Sequence, residues 1–117
     1  MRFNRKKEKE FKFSDYKGEN KPGFITSFDR LEYIYVETKD DEELFKICDT
    51  LLGGRPVIVN FDKLNGADCN YMLAFISGVV YATDGRIMKL DTKLFLMARK
   101  EEFEDGSLYQ YYEDNKR

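Results

Sequence analysis

Residues 55–61 read Arg55-Pro56-Val57-Ile58-Val59-Asn60-Phe61. Val57, Ile58 and Val59 are β-branched and suit a strand. The apolar run is unbroken rather than alternating, which marks a strand covered on both faces, the usual state of one with a parallel neighbour. A candidate neighbour lies upstream in Leu31-Glu32-Tyr33-Ile34-Tyr35-Val36-Glu37, where aromatic and β-branched residues again dominate. Between the two strands, Asp40 or Asp41 can cap a helix, and Glu42 and Glu43 favour its first turn. Leu44, Ile47, Cys48, Leu51 and Leu52 then recur at helical spacing, Phe45 widens the stripe, and Gly53-Gly54 stops it. The result is a strand–helix–strand unit with a right-handed crossover.

Downstream, a second helix starts after Asn65 or Gly66, with Asn65 as cap and Asp68 in support. Cys69, Met72, Leu73, Ile76, Val79 and Val80 form its apolar stripe, and Tyr71 and Phe75 extend it sideways. This helix carries more apolar surface than one contact requires. Asp84-Gly85 ends it. Residues 86–90 and 93–97 then read as two strands joined at Asp91-Thr92 as a hairpin. The order β-α-β-α-β-β predicts an α/β fold, a two-layer sandwich with a mixed four- to five-stranded sheet and two helices on one face. The other face is expected to remain open, showing Tyr33, Tyr35, Met88 and Leu90 or their alternates.

The dense apolar pattern runs from Leu31 to Met97 in a chain of 117 residues. We therefore expect a flexible basic arm and linker over 1–30, a folded domain over 31–99 and an acidic, partly helical tail over 100–117. The linker reading rests on Lys17-Gly18-Glu19-Asn20-Lys21-Pro22-Gly23. Arg2, Arg5, Lys6, Lys7, Lys9 and Lys12 crowd the start of the chain. The net charge is −2, which gives no overall basic field for nucleic acid. The eight tyrosines and ten phenylalanines show no strand of exposed aromatics flanked by arginine and lysine, so core and interface packing accounts for them.

Histidine is absent, which excludes serine–histidine and cysteine–histidine catalysis. The carboxylates at 40–43 are explained by helix capping. The glycine turns at 53–54 and 84–85 follow helices, whereas a phosphate cradle precedes one. Cys48 and Cys69 fall in apolar stripes and have no companion ligands at metal spacing. No catalytic, cofactor or metal site is expected, and no cofactor. Without a signal-like segment or a long apolar run, the chain is expected in the cytoplasm. One residue stands out. Gly78 follows Ser77 in mid-helix, where glycine costs about 0.5–1 kcal/mol relative to alanine. Close approach of another backbone would offset that cost, either inside the fold or between subunits.

The ordered set Phe75-Ile76-Ser77-Gly78-Val79-Val80-Tyr81-Ala82, Gly85, Ile87, Lys89 and Phe95-Leu96, with residues 55–61 before it, resembles the SepF cell-division family over about residues 32–98. Ala74, Asp84 and Arg99 depart from that family's usual acidic residue, glycine and proline. The resemblance implies a non-enzymatic protein of septum assembly that forms homodimers and higher polymers. It also implies binding to the C-terminal tail of FtsZ and attachment to the inner membrane face at the division site. It places Gly78, with Ser77 and Phe75, at a self-assembly surface. Phe95, Lys89, Lys93 and Tyr71 are the expected FtsZ-tail contacts, in a groove between the second helix and the hairpin. Arg2, Phe3, Arg5, Lys6 and Lys7 are the expected contacts of the arm with an anionic membrane, although Met1, Phe3, Phe11 and Phe13 do not share one side of a helix. A dimeric, small-ligand-binding regulatory module is the alternative.

Overall fold

The computed structural model describes residues 25–117. The elements are β1 (Glu32–Tyr35), α1 (Asp41–Leu52), β2 (Val57–Asn60), α2 (Gly66–Ala82), β3 (Arg86–Asp91), β4 (Leu94–Ala98) and α3 (Ser107–Asn115), with 3-10 turns at Phe28–Arg30 and Lys100–Phe103. The sheet has four strands in the order β1-β2-β4-β3. β1 and β2 pair in parallel, and β4 pairs antiparallel with both β2 and β3. The expected mixed sheet is therefore present, and the unbroken apolar run of β2 lies in its interior.

Local chemistry sets the boundaries. The Asn65 side chain accepts from the Asp68 N–H at 2.8 Å, a cap worth about 1 kcal/mol. α1 has Asp40 as its N-cap residue but no side-chain capping bond. Its first-turn Glu43 instead accepts from the Glu37 N–H at 3.2 Å and ties the entering loop to the helix. At the exit from α2, Asp84 carries the left-handed backbone (φ 55°). Gly85 serves a different need, because a Cβ there would lie 2.2 Å from the Ala98 carbonyl oxygen. The hairpin is irregular, with a register shift between Lys89 and Asp91 on β3.

The sheet buries both faces. Under α1 and α2, the core contains Ile34, Val36, Val57, Val59, Phe61, Phe95 and Met97 together with Ile47, Met72 and Ile76. On the opposite face, Ile58, Leu90, Leu96 and Ala98 pack with Phe28, Phe103 and Leu108. This corrects the expectation of an open second face. The residues responsible lie in stretches assigned from sequence to the arm and the acidic tail. Residues 107–115 form a third helix over β3, and the Phe28 turn packs beside it, with Phe28 and Tyr111 ring centroids 5.3 Å apart. Among the described residues, only the β1 side of this face stays open. Tyr33 is 56% exposed, while Leu90 is buried and Met88 half-buried.

A buried carboxylate anchors the cover. Glu102 pairs with Arg30 and, at 3.4 Å, with Arg99. It also accepts from the Ser27 hydroxyl at 3.1 Å. Asp105 accepts from the Ser27 N–H at 2.8 Å, and the Ser107 hydroxyl accepts from the Phe28 N–H at 3.1 Å. The N-terminal turn and the start of α3 therefore hold each other in place.

Candidate interaction surface

From Cys69 to Thr83 the sequence has no charged residue. At 3.6 residues per turn, Cys69, Met72, Ile76 and Val80 point into the core, which sends Tyr71, Ala74, Gly78 and Tyr81 outward. A helix that is apolar on all sides normally sits inside a larger protein. Here its outer side meets solvent, and Tyr81 is 85% exposed. Helix α1 continues the patch. Phe45 is 47% exposed and Phe75 48%, their ring centroids 5.9 Å apart across the seam between the helices. Leu52, seven residues after Phe45 and so on the same side of α1, is also exposed. Monomeric proteins rarely leave contiguous apolar patches of this kind uncovered.

Gly78 lies in this patch. A Cβ built on it meets nothing within 4 Å, so no contact inside the described fold requires glycine there. Of the two explanations for a mid-helix glycine, close internal packing is removed. Ser77 is exposed, but its hydroxyl donates to the Leu73 carbonyl at 2.7 Å and is satisfied within the helix.

The residues expected to form a tail-binding groove do not come together. Phe95 is 9% exposed, and its ring meets Phe61 edge-on at 6.0 Å in the core. This corrects its assignment as an anchor for a partner side chain, because β4 lies between two strands and beneath α2. Lys93 donates to the Leu64 carbonyl at 2.6 Å, which pins the hairpin to the loop before α2. Tyr71 faces the α1 side, with the Lys39 ammonium 5.4 Å from its ring centroid. Lys89 is exposed and pairs with Phe95 in register, on the opposite flank of α2. Leu73 and Ile87 lie on that flank, both partly buried against the core. The arm residues Arg2, Phe3, Arg5, Lys6 and Lys7 lie outside the described residues.

No group of three histidine, cysteine, aspartate or glutamate side chains among the described residues is placed to hold a metal ion. Burial pushes the Cys48 thiol above its ordinary range, helped by Asp49. Burial raises Cys69 likewise, partly opposed by Lys93. Both thiols are in the core. A surface depression of about 600 Å³ is lined by Lys39, Asp40, Asp41, Glu42 and Tyr71. No helix among the described residues is long and apolar enough to cross a membrane.

Sequence reasoning missed the contribution of Phe45, Leu52 and Tyr81 to the patch, although the uncharged run from 69 to 83 was a readable signal. It also missed Glu102 and Leu108, whose surroundings resemble a solvated tail in sequence.

These features define an α/β domain whose helix layer presents an uncharged, partly aromatic surface on its outer side. Residues 34–100 match the protein-family model described as cell division protein SepF, and the chain belongs to that family. It is 37% identical over 57 residues to a cell division protein SepF of Caldanaerobacter subterraneus, covering 49% of this chain and 42% of the relative. The SepF of Ruminiclostridium cellulolyticum is 38% identical over 61 residues, 52% of this chain and 38% of the relative. That of Acetivibrio thermocellus is 29% identical over 85 residues, 73% of this chain and 55% of the relative. The chain spans about half the length of the curated relatives it matches.

Proposed function

We propose that the chain is a non-catalytic adaptor of cell division, which pairs with itself through the helix layer and binds the C-terminal tail of FtsZ. The observation that carries this reading is the uncharged outer side of α2. It is exposed, and nothing among the described residues approaches its glycine closely enough to require one. Two copies meeting across Ala74 and Gly78 bring helix backbones close, because neither residue has a side chain to hold them apart. Phe45, Tyr71, Phe75 and Tyr81 supply apolar area around that point. Clustering along an FtsZ polymer then makes individually weak tail contacts firm, since each bound copy raises the effective concentration of the next site.

The flank of α2 facing β3 supports the tail contact. Leu73 and Ile87 give it an apolar floor, and the exposed Lys89 beside them is available to meet acidic side chains. Tyr71 belongs with the self-association patch in this reading, and Phe95 supports the floor from beneath. The basic residues Arg2, Arg5, Lys6 and Lys7, with Phe3, suit an anionic membrane surface, each basic residue contributing about 1 kcal/mol near it. The place of action is then the cytoplasmic side of the division site.

Co-sedimentation with polymerised FtsZ tests the partner. Full-length FtsZ should carry the chain into the pellet, FtsZ lacking its C-terminal tail should not, and Lys89→Glu should reduce pelleting several-fold. Equal pelleting with tailless FtsZ contradicts the reading.

A further inference from the structure

We propose that the outer edge of β1 is a strand-addition site, and that its occupant is the chain's own segment Lys9-Glu10-Phe11-Lys12-Phe13-Ser14, which lies outside the described residues. Docking at this edge is independent of pairing through the helix layer and of the FtsZ-tail contact.

β1 stands at one end of the sheet, with β2 as its single neighbour. The Glu32 and Val36 N–H groups donate toward β2, to the Pro56 and Asn60 carbonyls at 2.9 and 3.0 Å. Backbone groups alternate in direction along a strand, so Tyr33 and Tyr35 turn theirs away from β2. The chain closes this outer row at both ends. The Leu31 N–H donates to the Phe28 carbonyl at 3.1 Å, and the Glu37 N–H donates to the Glu43 carboxylate at 3.2 Å. Between those stops, no strand among the described residues lies beside Tyr33 and Tyr35. Sheet edges are commonly protected by a proline, a bulge or a charge. β1 has no proline, and its one charged residue, Glu32, is held by Arg55 at 3.0 Å. Both tyrosines are exposed, and a depression of about 490 Å³ opens there, lined by Tyr33, Ile34, Tyr35, Glu42, Glu43 and Lys46. An extended segment fits such a place by main-chain bonding, with alternate side chains setting specificity.

Pattern, charge and reach select residues 9–14 as the occupant. Phe11 and Phe13 share one side of a strand and Lys12 takes the other. With the phenyl rings beside Tyr33 and Tyr35, cross-strand aromatic pairs form. Lys12 then falls on the α1 side of the sheet, where the depression carries Glu42 and Glu43 against Lys46 alone. The segment has no glycine or proline, whereas 17–23 contains both and suits a connection rather than a strand. Residues 15–24 join it to the first described residue, and at about 3.3 Å per residue they span up to about 33 Å. The edge from 32 to 36 is about 17 Å long at the same rise, so the segment reaches it in either direction. The tether also keeps the segment at a high effective concentration, which lets so short a strand dock. Once it is docked, the basic residues Arg2, Arg5, Lys6 and Lys7 leave directly from the sheet edge. The domain is then held close to whatever surface they meet. That last consequence rests on the membrane reading above; the docking does not.

Residue-resolved amide exchange by NMR tests this in the full chain, free of membrane and of FtsZ. The Tyr33 and Tyr35 amides should be protected, and so should every second amide over 9–14. In Phe11→Asp with Phe13→Asp, the two tyrosine amides should exchange at least about tenfold faster, while the Val36 amide, bonded toward β2, keeps its protection and reports an intact sheet. Lys12→Glu should speed the same two amides several-fold. Protection should be undiminished by dilution and unchanged in Gly78→Lys, so that failure of the helix-layer pairing leaves this result standing. Tyr33 and Tyr35 amides that exchange in the unmodified chain as fast as an open peptide overturn the proposal. Protection that survives the double aspartate variant also overturns it, by assigning the cover to another segment. Protection lost on dilution overturns it as well, by making the occupant the arm of a second copy.

Discussion

A Cβ built on Gly85 lies 2.2 Å from the Ala98 carbonyl oxygen and 2.9 Å from the Arg99 Cα, whereas one built on Gly78 meets nothing within 4 Å. Backbone does not yield as a side-chain tip does, so Gly85→Ala should destabilise the fold by about 1–3 kcal/mol in urea unfolding. Gly78→Ala should act in the other direction, stabilising the monomer by about 0.5–1 kcal/mol through helix propensity while weakening self-association. Opposite signs in those two assays would show that the glycine serves assembly. Glu102 presents another residue-scale case. It is 3% exposed and faces both Arg30 and Arg99. Replacing both arginines with alanine leaves a buried carboxylate unpaired, and unfolding should register a loss of about 3–5 kcal/mol. The thiols give a pH signature. Burial raises Cys48 and Cys69 above the ordinary value of 9.0, so the folded state keeps these protons where the unfolded state has lost them. Their stabilising contribution is complete below that value and is lost as pH climbs through the raised folded values. Urea midpoints followed upward from pH 9.0 should fall, and Cys48→Ala should flatten the slope.

Among the elements, α3 carries the sharpest prediction about stability. Leu108 has no exposed surface and joins a cluster with Phe28, Phe103 and Leu96. Leu108→Ala should cost about 2–5 kcal/mol by the usual cavity arithmetic, less where the helix frays instead of leaving a void. Exchange of the 107–115 amides distinguishes the two outcomes. This element also marks the limit of what the sequence discloses. Val57–Phe61 declared a buried strand because an apolar run with β-branched residues has few other uses, and Asn65 with Asp68 declared the start of α2 through capping chemistry. Residues 99–117 gave no such pattern. Glu101, Glu102, Glu104 and Asp105 look alike in a list of letters, yet Glu102 is buried and Glu104 exposed, and tertiary arginines decide which is which. Tyr109, Tyr111 and Tyr112 have an apolar body and a polar tip, so periodicity alone does not reveal that they pack on a sheet. The candidate surface was half legible for the same reason. An uncharged helix announces two covered sides, but which neighbour flanks Tyr71 and which flanks Lys89 depends on the strand order.

At the scale of the whole molecule, the fold sorts its apolar surface into two faces with different fates. The sheet face is covered on its β3 side by the Phe28 turn and α3. Among the described residues nothing covers the helix face, where Phe45, Leu52, Tyr71, Phe75 and Tyr81 are all large, apolar and exposed. A small domain of the SepF family that hides one face and leaves the other open has an obvious use for a neighbour. The direct measurement is sedimentation equilibrium of the unmodified chain beside Gly78→Lys, with circular dichroism confirming that both are folded. The unmodified chain should show a concentration-dependent dimer, and Gly78→Lys should remain monomeric throughout. A folded, unmodified chain that stays monomeric at the highest concentration, or a lysine variant that dimerises equally well, would contradict the account.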